Sequence, residues 1–260
     1  MSPLETLLVD EQSGVLTVTL NRPKTANAMN LVMVNELSQV MDYVAKAKVR
    51  VLVLQGAAGN FCAGGDIKDM QASRGDSVAL AKLNRAFGLM IEKANKLPCV
   101  VICALQGAVL GGGLGLACVS DVAISDNSTR FAMPETSLGI LPAQIAPFVV
   151  ERVGLTAARR LALLGLRITS EEALAFGLIH QVAVNEEDLQ RQVSAAIAAA
   201  LNCAPQATQM TKALLHQVGQ VDMSDLLDQA AKDFATSVAK EGIEGATAFA
   251  QKRKPNWHQG

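Results

Sequence analysis

Aromatic side chains are scarce in this chain: one Trp, one Tyr and seven Phe make up 3% of the residues, although half of all residues are hydrophobic. A core of any size must therefore be built from Leu, Val, Ile, Ala and Met. Charge of either sign is not in excess. The formal net charge is −1, and no basic stripe runs along the chain, which argues against nucleic acid as a partner. The opening Met1-Ser2-Pro3-Leu4-Glu5-Thr6 lacks a basic segment followed by an apolar one, so it does not read as a secretory signal. The five cysteines, Cys62, Cys99, Cys103, Cys118 and Cys203, are odd in number and sit mostly in apolar runs. They read as reduced core residues of a cytoplasmic protein. His180, His216 and His258 are far apart and match no metal-ligand spacing. Neither a Gly-x-Ser-x-Gly elbow nor a histidine near Cys62 supports a nucleophilic triad. The interval 99–120 carries no charge and is long enough to span a bilayer, but Gln106 and five glycines interrupt it, and strand, turn and helix account for it.

What is present in quantity is glycine at one place. Residues 106–115 read Gln-Gly-Ala-Val-Leu-Gly-Gly-Gly-Leu-Gly, between the apolar run Val100–Leu105 and the helix-compatible Leu116-Ala117-Cys118-Val119. Glycines at a strand-to-helix turn permit positive φ and close approach to the main chain. The unpaired N–H groups of the first helical turn then face a ligand, with the positive end of the helix dipole behind them. Such a turn holds a resting phosphate or an oxyanion that develops during reaction. Leu116-Ala117 stands where a P-loop needs Lys-Ser/Thr, and a Gly-x-Gly-x-x-Gly read from Gly113 fails at its last position. Tight helix–strand packing is the plain structural alternative. A second turn favours the oxyanion: Phe61-Cys62-Ala63-Gly64-Gly65-Asp66-Ile67 follows the apolar run Val51–Leu54 and opens another helix. Two such turns supply two backbone donors, and Ala63 and Gly112 are the expected pair.

Alternation predicts a strand over 15–20, and apolar runs predict strands over 49–54, 100–105 and 122–124. Helical spacing predicts helices over 31–47, 78–96 and 113–119, with another opening at Ser170 and closed by Gly177. From about residue 187 the pattern is wholly helical, over 187–202, 205–218, 224–239 and 241–252. Strands alternating with helices imply α/β layering.

Phe-Cys-Ala-Gly-Gly-Asp-Ile, Gly-Gly-Gly-Leu-Gly-Leu-Ala and Met133-Pro134-Glu135-Thr136-Ser137-Leu138-Gly139-Ile140 resemble the enoyl-CoA hydratase/isomerase (crotonase) superfamily. Leu20-Asn21-Arg22-Pro23-Lys24 with Asn27-Ala28-Met29, and Phe249 with Lys252-Arg253-Lys254, extend the resemblance over essentially the whole chain. It implies a spiral of ββα units over 1–200 and a helical trimerisation region over 201–260. The implied assembly is a homotrimer or a dimer of trimers. It also implies an acyl-CoA thioester as substrate, with coenzyme A entering as part of it and no separate cofactor.

By this resemblance Glu135 moves the proton, and the apolar residues around it disfavour its charged form; a helix-first-turn carboxylate is the structural alternative. Lys24, Ala26, Gly65, Asp66 and Ile67 line the adenine and pantetheine path, Gly111, Gly115 and Leu138 join the substrate-binding set, and Phe249 and Lys252 reach the CoA of a neighbouring subunit. Typical hydratases of the superfamily carry a second glutamate where this chain has Gly115. Its absence favours a single-base Δ3,Δ2-enoyl-CoA isomerase, a hydratase of unusual kind, or a non-catalytic thioester binder. Residues 141–149, Leu-Pro-Ala-Gln-Ile-Ala-Pro-Phe-Val, pull toward hydration, because they resemble the branch acting on methylglutaconyl- and isohexenylglutaconyl-CoA. Ala143 also stands where some relatives place a catalytic Asp. The expectation is a hydratase whose Gly115 leaves room for a branched acyl group.

Overall fold

The computed structural model describes residues 4–72 and 75–258. Strands β1 (Leu7–Gln12) and β2 (Val15–Leu20) form an antiparallel hairpin across the turn at Ser13-Gly14. Helix α1 (Leu31–Val44) follows, capped by the Asn30 side chain, which accepts from Met33 N–H. Then come β3 (Val51–Gly56), α2 (Ile67–Ala72), α3 (Ser77–Asn95), β4 (Val100–Leu105), β5 (Ala108–Leu110), α4 (Gly112–Val119), β6 (Val122–Asp126) and β7 (Arg130–Ala132). The second half contains α5 (Ala146–Leu164), β8 (Arg167–Ile168), α6 (Ser170–Ala175), β9 (Gln181–Ala183), α7 (Glu186–Asn202), α8 (Pro205–Gln217), α9 (Met223–Ser237) and α10 (Ile243–Ala250).

Six strands form one sheet in the order β1-β2-β3-β4-β6-β9, parallel from β2 onward, and β5-β7-β8 form a second, smaller sheet. Parallel strands buried on both faces read as continuous apolar runs. Accordingly Leu52, Leu54, Val101 and Cys103 pack toward α1, α3 and α4, while Val51, Val53, Ile102 and Ala104 pack toward Leu189 and Val193 of α7. Successive circuits of the chain give one strand to each sheet and then a helix: β4, β5, α4, then β6, β7, α5. Cys62 bridges Val109 of β5 and so begins the circuit of β3 in the same way. This is the α/β spiral of ββα units that the resemblance implied.

The expected strands over 15–20 and 100–105 match to the residue. The expected helix over 31–47 stops at Val44, and the one over 241–252 begins only at Ile243, after a π-turn at Val238–Gly242. The helix opening at Ser170 takes its cap from Thr169, in a capping box with Glu172. Strands β1, β5, β7, β8 and β9 and helix α5 were not expected. Most of these strands are only two or three residues long, and α5 contains Gly154 at φ +74°, which breaks the helical period. No helix among the described residues is long and apolar enough to cross a membrane.

Candidate active site

The two glycine turns are fastened to each other by backbone. Cys62 N–H donates to Ala108 O at 2.8 Å, and Leu110 N–H donates to Cys62 O at 2.9 Å. Phe61 N–H donates to Gln106 O, and the Asn60 side chain accepts from Ala108 N–H. The close approach needs Gly113, where an added Cβ would lie 2.7 Å from Cys62 Cβ. Cys62 itself is buried, which pushes its thiol up to about 12 and removes it as a nucleophile at neutral pH.

The expected donor pair requires a correction at Ala63. Its N–H is consumed, donating to Ala26 O at 3.0 Å. The loop carrying Lys24 and Ala26 docks there because Ala26 and Asn27 adopt positive φ and Asn27 is buried, its amide donating to Ala57 O and Asn60 O. Two residues on, Gly64 O accepts from Met29 N–H and Asp66 N–H donates to Met29 O, both at 2.8 Å. In a parallel bridge the residue between those two turns its own N–H away. That residue is Gly65, whose N–H has no acceptor among the described residues. Gly64, at φ +103°, reverses the side presented, so a count from Ala63 misses the free donor. Gly112 opens α4 and its N–H is likewise unpaired among the described residues.

Gly65, Gly112 and Glu135 line one cavity of about 270 Å³, together with Phe87, Leu141 and Ile145. A methyl added at Gly65 or at Gly112 would come within 4.0 or 3.8 Å of the Phe87 ring, so the two turns converge on that ring. Glu135 begins a 3-10 turn, Glu135–Leu138, which Gly139 closes at φ +72°. Thr136 Oγ1 ties the turn to Ala162 O of α5 at 2.7 Å. A Cβ at Gly111 would lie 2.9 Å from Glu135 Oε1, so the positive-φ glycine is what lets the carboxylate reach the start of α4. Glu135 Oε2 is shielded from solvent and has no hydrogen-bond partner among the described residues. Burial raises the Glu135 pKa above the usual glutamate value, opposed by its own backbone N–H.

The other carboxylates of the wall are engaged. Asp66 pairs with Arg22 at 2.9 Å, and Asp69 accepts Leu31 N–H at 2.6 Å. Arg22 also donates to Ala28 O, so it joins the Lys24 loop to the Gly65 turn. Sequence reasoning passed over this residue, although it stands inside the quoted Asn-Arg-Pro motif. Reasoning from sequence also missed Phe87 and Ile145, because nothing local marks which face of α3 or of the 141–149 segment lines a cavity.

Gly115 does not line the cavity. A Cβ there would lie 2.6 Å from Ile145 Cγ2 and 2.9 Å from Ile91 Cδ1. The space expected beside it for a branched acyl group is filled by those two side chains, and this corrects the expectation. Lys24 and Ile67 are exposed beside the Gly65 turn. Leu138, Phe249 and Lys252 lie away from the cavity wall, Leu138 on the exposed side of the Glu135 turn and the other two at the end of α10, where Phe249 is 87% exposed.

The family model for enoyl-CoA hydratase/isomerase matches residues 10–260. A crystal structure of an enoyl-CoA hydratase/isomerase from Marinobacter aquaeolei is 52% identical and superposes with a TM-score of 0.95, covering 97% of this chain and 99% of that one. The 2,3-dehydroadipyl-CoA hydratase of Escherichia coli (strain K12) is 32% identical, over 96% of this chain and 98% of its own length. The 1,2-epoxyphenylacetyl-CoA isomerase of the same organism is 31% identical, over 98% of each. Motifs, fold and relatives agree from end to end, and the chain belongs to the enoyl-CoA hydratase/isomerase family.

Proposed function

We propose that this protein hydrates the double bond of an enoyl-CoA thioester, with the N–H groups of Gly65 and Gly112 as oxyanion donors and Glu135 as the acid–base group. The observation that carries the reading is the buried, unpartnered Glu135 Oε2 in the same cavity as those two unpaired donors. The thioester oxygen accepts from both N–H groups. Glu135 takes a proton from water, the hydroxide oxygen bonds to the β-carbon, and the electron pair of the double bond moves to the thioester as an enolate. The same carboxyl returns its proton to the α-carbon. One water is consumed and Glu135 ends as it began. Each well-placed donor in such a site is worth about 2.7–4 kcal/mol of barrier.

Isomerisation is the second reading, and the apolar filling at Gly115 favours it. Ile91 and Ile145 occupy the side where a second carboxylate would stand, and one base suffices to move a proton from one carbon to another. A branched glutaconyl thioester is the finer substrate proposal, supported by residues 141–145, all of which line the cavity. The branch is accommodated by the main cavity rather than beside Gly115.

The protein acts as a trimer or a pair of trimers in this reading. Support comes from the helical tail, where Leu215, Leu227, Phe234, Ile243 and Phe249 leave large apolar surfaces exposed. Phe249 and Lys252 then serve a neighbour's CoA. Turnover followed on crotonyl-, 3-methylglutaconyl-, isohexenylglutaconyl- and 3-enoyl-CoA tests the whole. Loss of conjugated-enoyl absorbance supports hydration, and its gain from the 3-enoyl thioester supports isomerisation. No change with any of them overturns both.

A further inference from the structure

Besides Asp66, Asp69 and Glu135, two amides interrupt the apolar wall of the acyl cavity. Leu80, Leu83, Phe87 and Leu141 form much of that wall, and the amides are Asn84 of α3 and Gln144, just ahead of α5. Their orientations are fixed by a neighbour. A guanidinium can only donate, and Arg85 Nη1 lies 3.3 Å from Gln144 Oε1. Gln144 must therefore turn its nitrogen the other way, where Nε2 donates to Asn84 Oδ1 at 3.0 Å. Asn84 accepts, so its own nitrogen is left over. Both Nδ2 hydrogens of Asn84 and one Nε2 hydrogen of Gln144 have no acceptor among the described residues. The chain of bonds starts from a cation and runs one way. It leaves three N–H donors unused in the wall, against one free lone pair on each amide oxygen.

The arrangement is built into α3. Gly88 is buried in mid-helix, and a Cβ there would lie 1.9 Å from Gln144 Oε1 and 2.8 Å from Arg85 Nη1. Glycine inside a helix costs about 0.5–1 kcal/mol relative to alanine. Here it makes the room that lets the Gln144 amide lie across the helix. Arg85 is held in turn by Glu92 at 3.0 Å.

We propose that Asn84 and Gln144 form an amide patch of the cavity wall whose spare N–H groups select thioesters with an oxygen acceptor in the acyl chain beyond the reacting carbons. This rests on the thioester reading above. Water reaches the exposed Asn84 in the free protein; a hydrocarbon tail that covers the amides displaces it and leaves donors unpaired, whereas a carboxylate, ester or carbonyl oxygen replaces it. The acceptor is either an anion or a neutral oxygen. Asp69 on the same wall opposes the first, and the Arg85 cation behind Gln144 favours it.

Calorimetric titration of the full chain with unreactive saturated ligands tests this without requiring turnover. The ligands are hexanoyl-CoA, the six-carbon acyl-CoA with a terminal carboxyl, and the methyl ester of the latter. The wild type should bind at least one oxygenated ligand about tenfold more tightly than hexanoyl-CoA. Preference for both identifies a neutral acceptor as sufficient, and preference for the acid alone identifies an anion. Asn84→Asp replaces the spare amide donors with a negatively charged acceptor. It should erase the preference and turn it against the acid, and Gln144→Met should erase it without that reversal. Asn84 is exposed on α3, so the aspartate variant should keep its helix, which circular dichroism checks. Equal or tighter binding of hexanoyl-CoA by the wild type overturns this proposal alone, as does a preference that survives in both variants. Failure of all three ligands to bind overturns it together with the thioester reading.

Discussion

The glycine cluster at the head of α4 divides into two halves that do different work. Gly111 stands against Glu135, and Gly112 lines the cavity. The first lets Glu135 Oε1 approach, and the second offers an unpaired N–H. Gly113 and Gly115 face the interior, where added methyl groups would meet Cys62 at 2.7 Å and Ile145 at 2.6 Å. The same residue type, two positions apart, thus serves ligand access in one half and close packing in the other. Substitutions should separate accordingly: changes in the first half act on chemistry, and changes in the second act on stability.

The largest effect should come from Gly115→Glu. It drives a side chain into Ile145 and Ile91 and places a carboxylate in apolar surroundings with no partner. A cost of at least about 3 kcal/mol is expected, read as a fall in the urea midpoint or loss of soluble protein. Adding Ile145→Gly should recover part of it, because the nearest clashing atoms go. A single variant as stable as wild type would show that the packing half of the cluster has slack.

Next is Glu135→Gln, on the chemical side. Turnover should fall at least about a hundredfold while thioester binding persists, since the amide keeps the shape and loses the proton transfer. Stability should move the other way, with a sign set by pH. Burial raises the folded-state pKa of Glu135. Its contribution to stability is therefore fully present below the unfolded glutamate pKa and is lost as pH rises through the folded value. The glutamine variant should be more stable than wild type at neutral pH, and that advantage should vanish in acid. In the wild type, kcat/KM should fall on the acid side at a pH above the ordinary glutamate range. A stability difference independent of pH would contradict the burial of an ionised Glu135.

The fates of Ala63 and Gly115 show where the sequence stopped being legible. Strand-to-helix turns, the glycine cluster and Glu135 are local patterns, and each was readable from periodicity, small residues or motif. Which N–H of the 61–67 turn stays free is not local. It depends on Ala26 O arriving from a loop almost forty positions earlier and on the reversal at Gly64. What fills the space beside Gly115 is decided by Ile91 and Ile145, which come from two other elements. The short strands β5, β7 and β9 were missed for the same reason, since three residues carry too little pattern to be seen without their partners.

Gly113→Ala sharpens the comparison at intermediate size. The added methyl meets Cys62 Cβ at 2.7 Å and Cys62 O at 2.9 Å, and a backbone oxygen held in a ladder cannot step aside. Overpacking of this kind costs about 1–3 kcal/mol, against a gain in helix propensity of at most about 1 kcal/mol. Net destabilisation is expected in thermal melts. Because Cys62 fastens the two turns together, a shift of α4 also moves Gly112 relative to Gly65, and kcat should fall with KM little changed. Unaltered kcat in a destabilised variant would separate the packing contact from the spacing of the donors.

The smallest effect should belong to Gly112→Ala. Its Cβ would meet Met29 Cε at 3.4 Å, the mobile end of a flexible side chain, and Phe87 Cδ1 at 3.8 Å. Gly112 is not among the positive-φ glycines, so alanine fits its backbone, and it is the first residue of α4. The N–H remains. Stability should stay within about 1 kcal/mol of wild type, and kcat should change little. Gly112→Pro at the same position is the necessary contrast. Proline suits the first helical position, so α4 can form, but the N–H is gone; loss of one such donor typically lowers kcat by about 10²–10³. The alanine variant tests the space around Gly112, and the proline variant tests the donor. If alanine proves as damaging as proline, Gly112 belongs with Gly113 and Gly115 as a packing residue, and the line drawn through the cluster disappears.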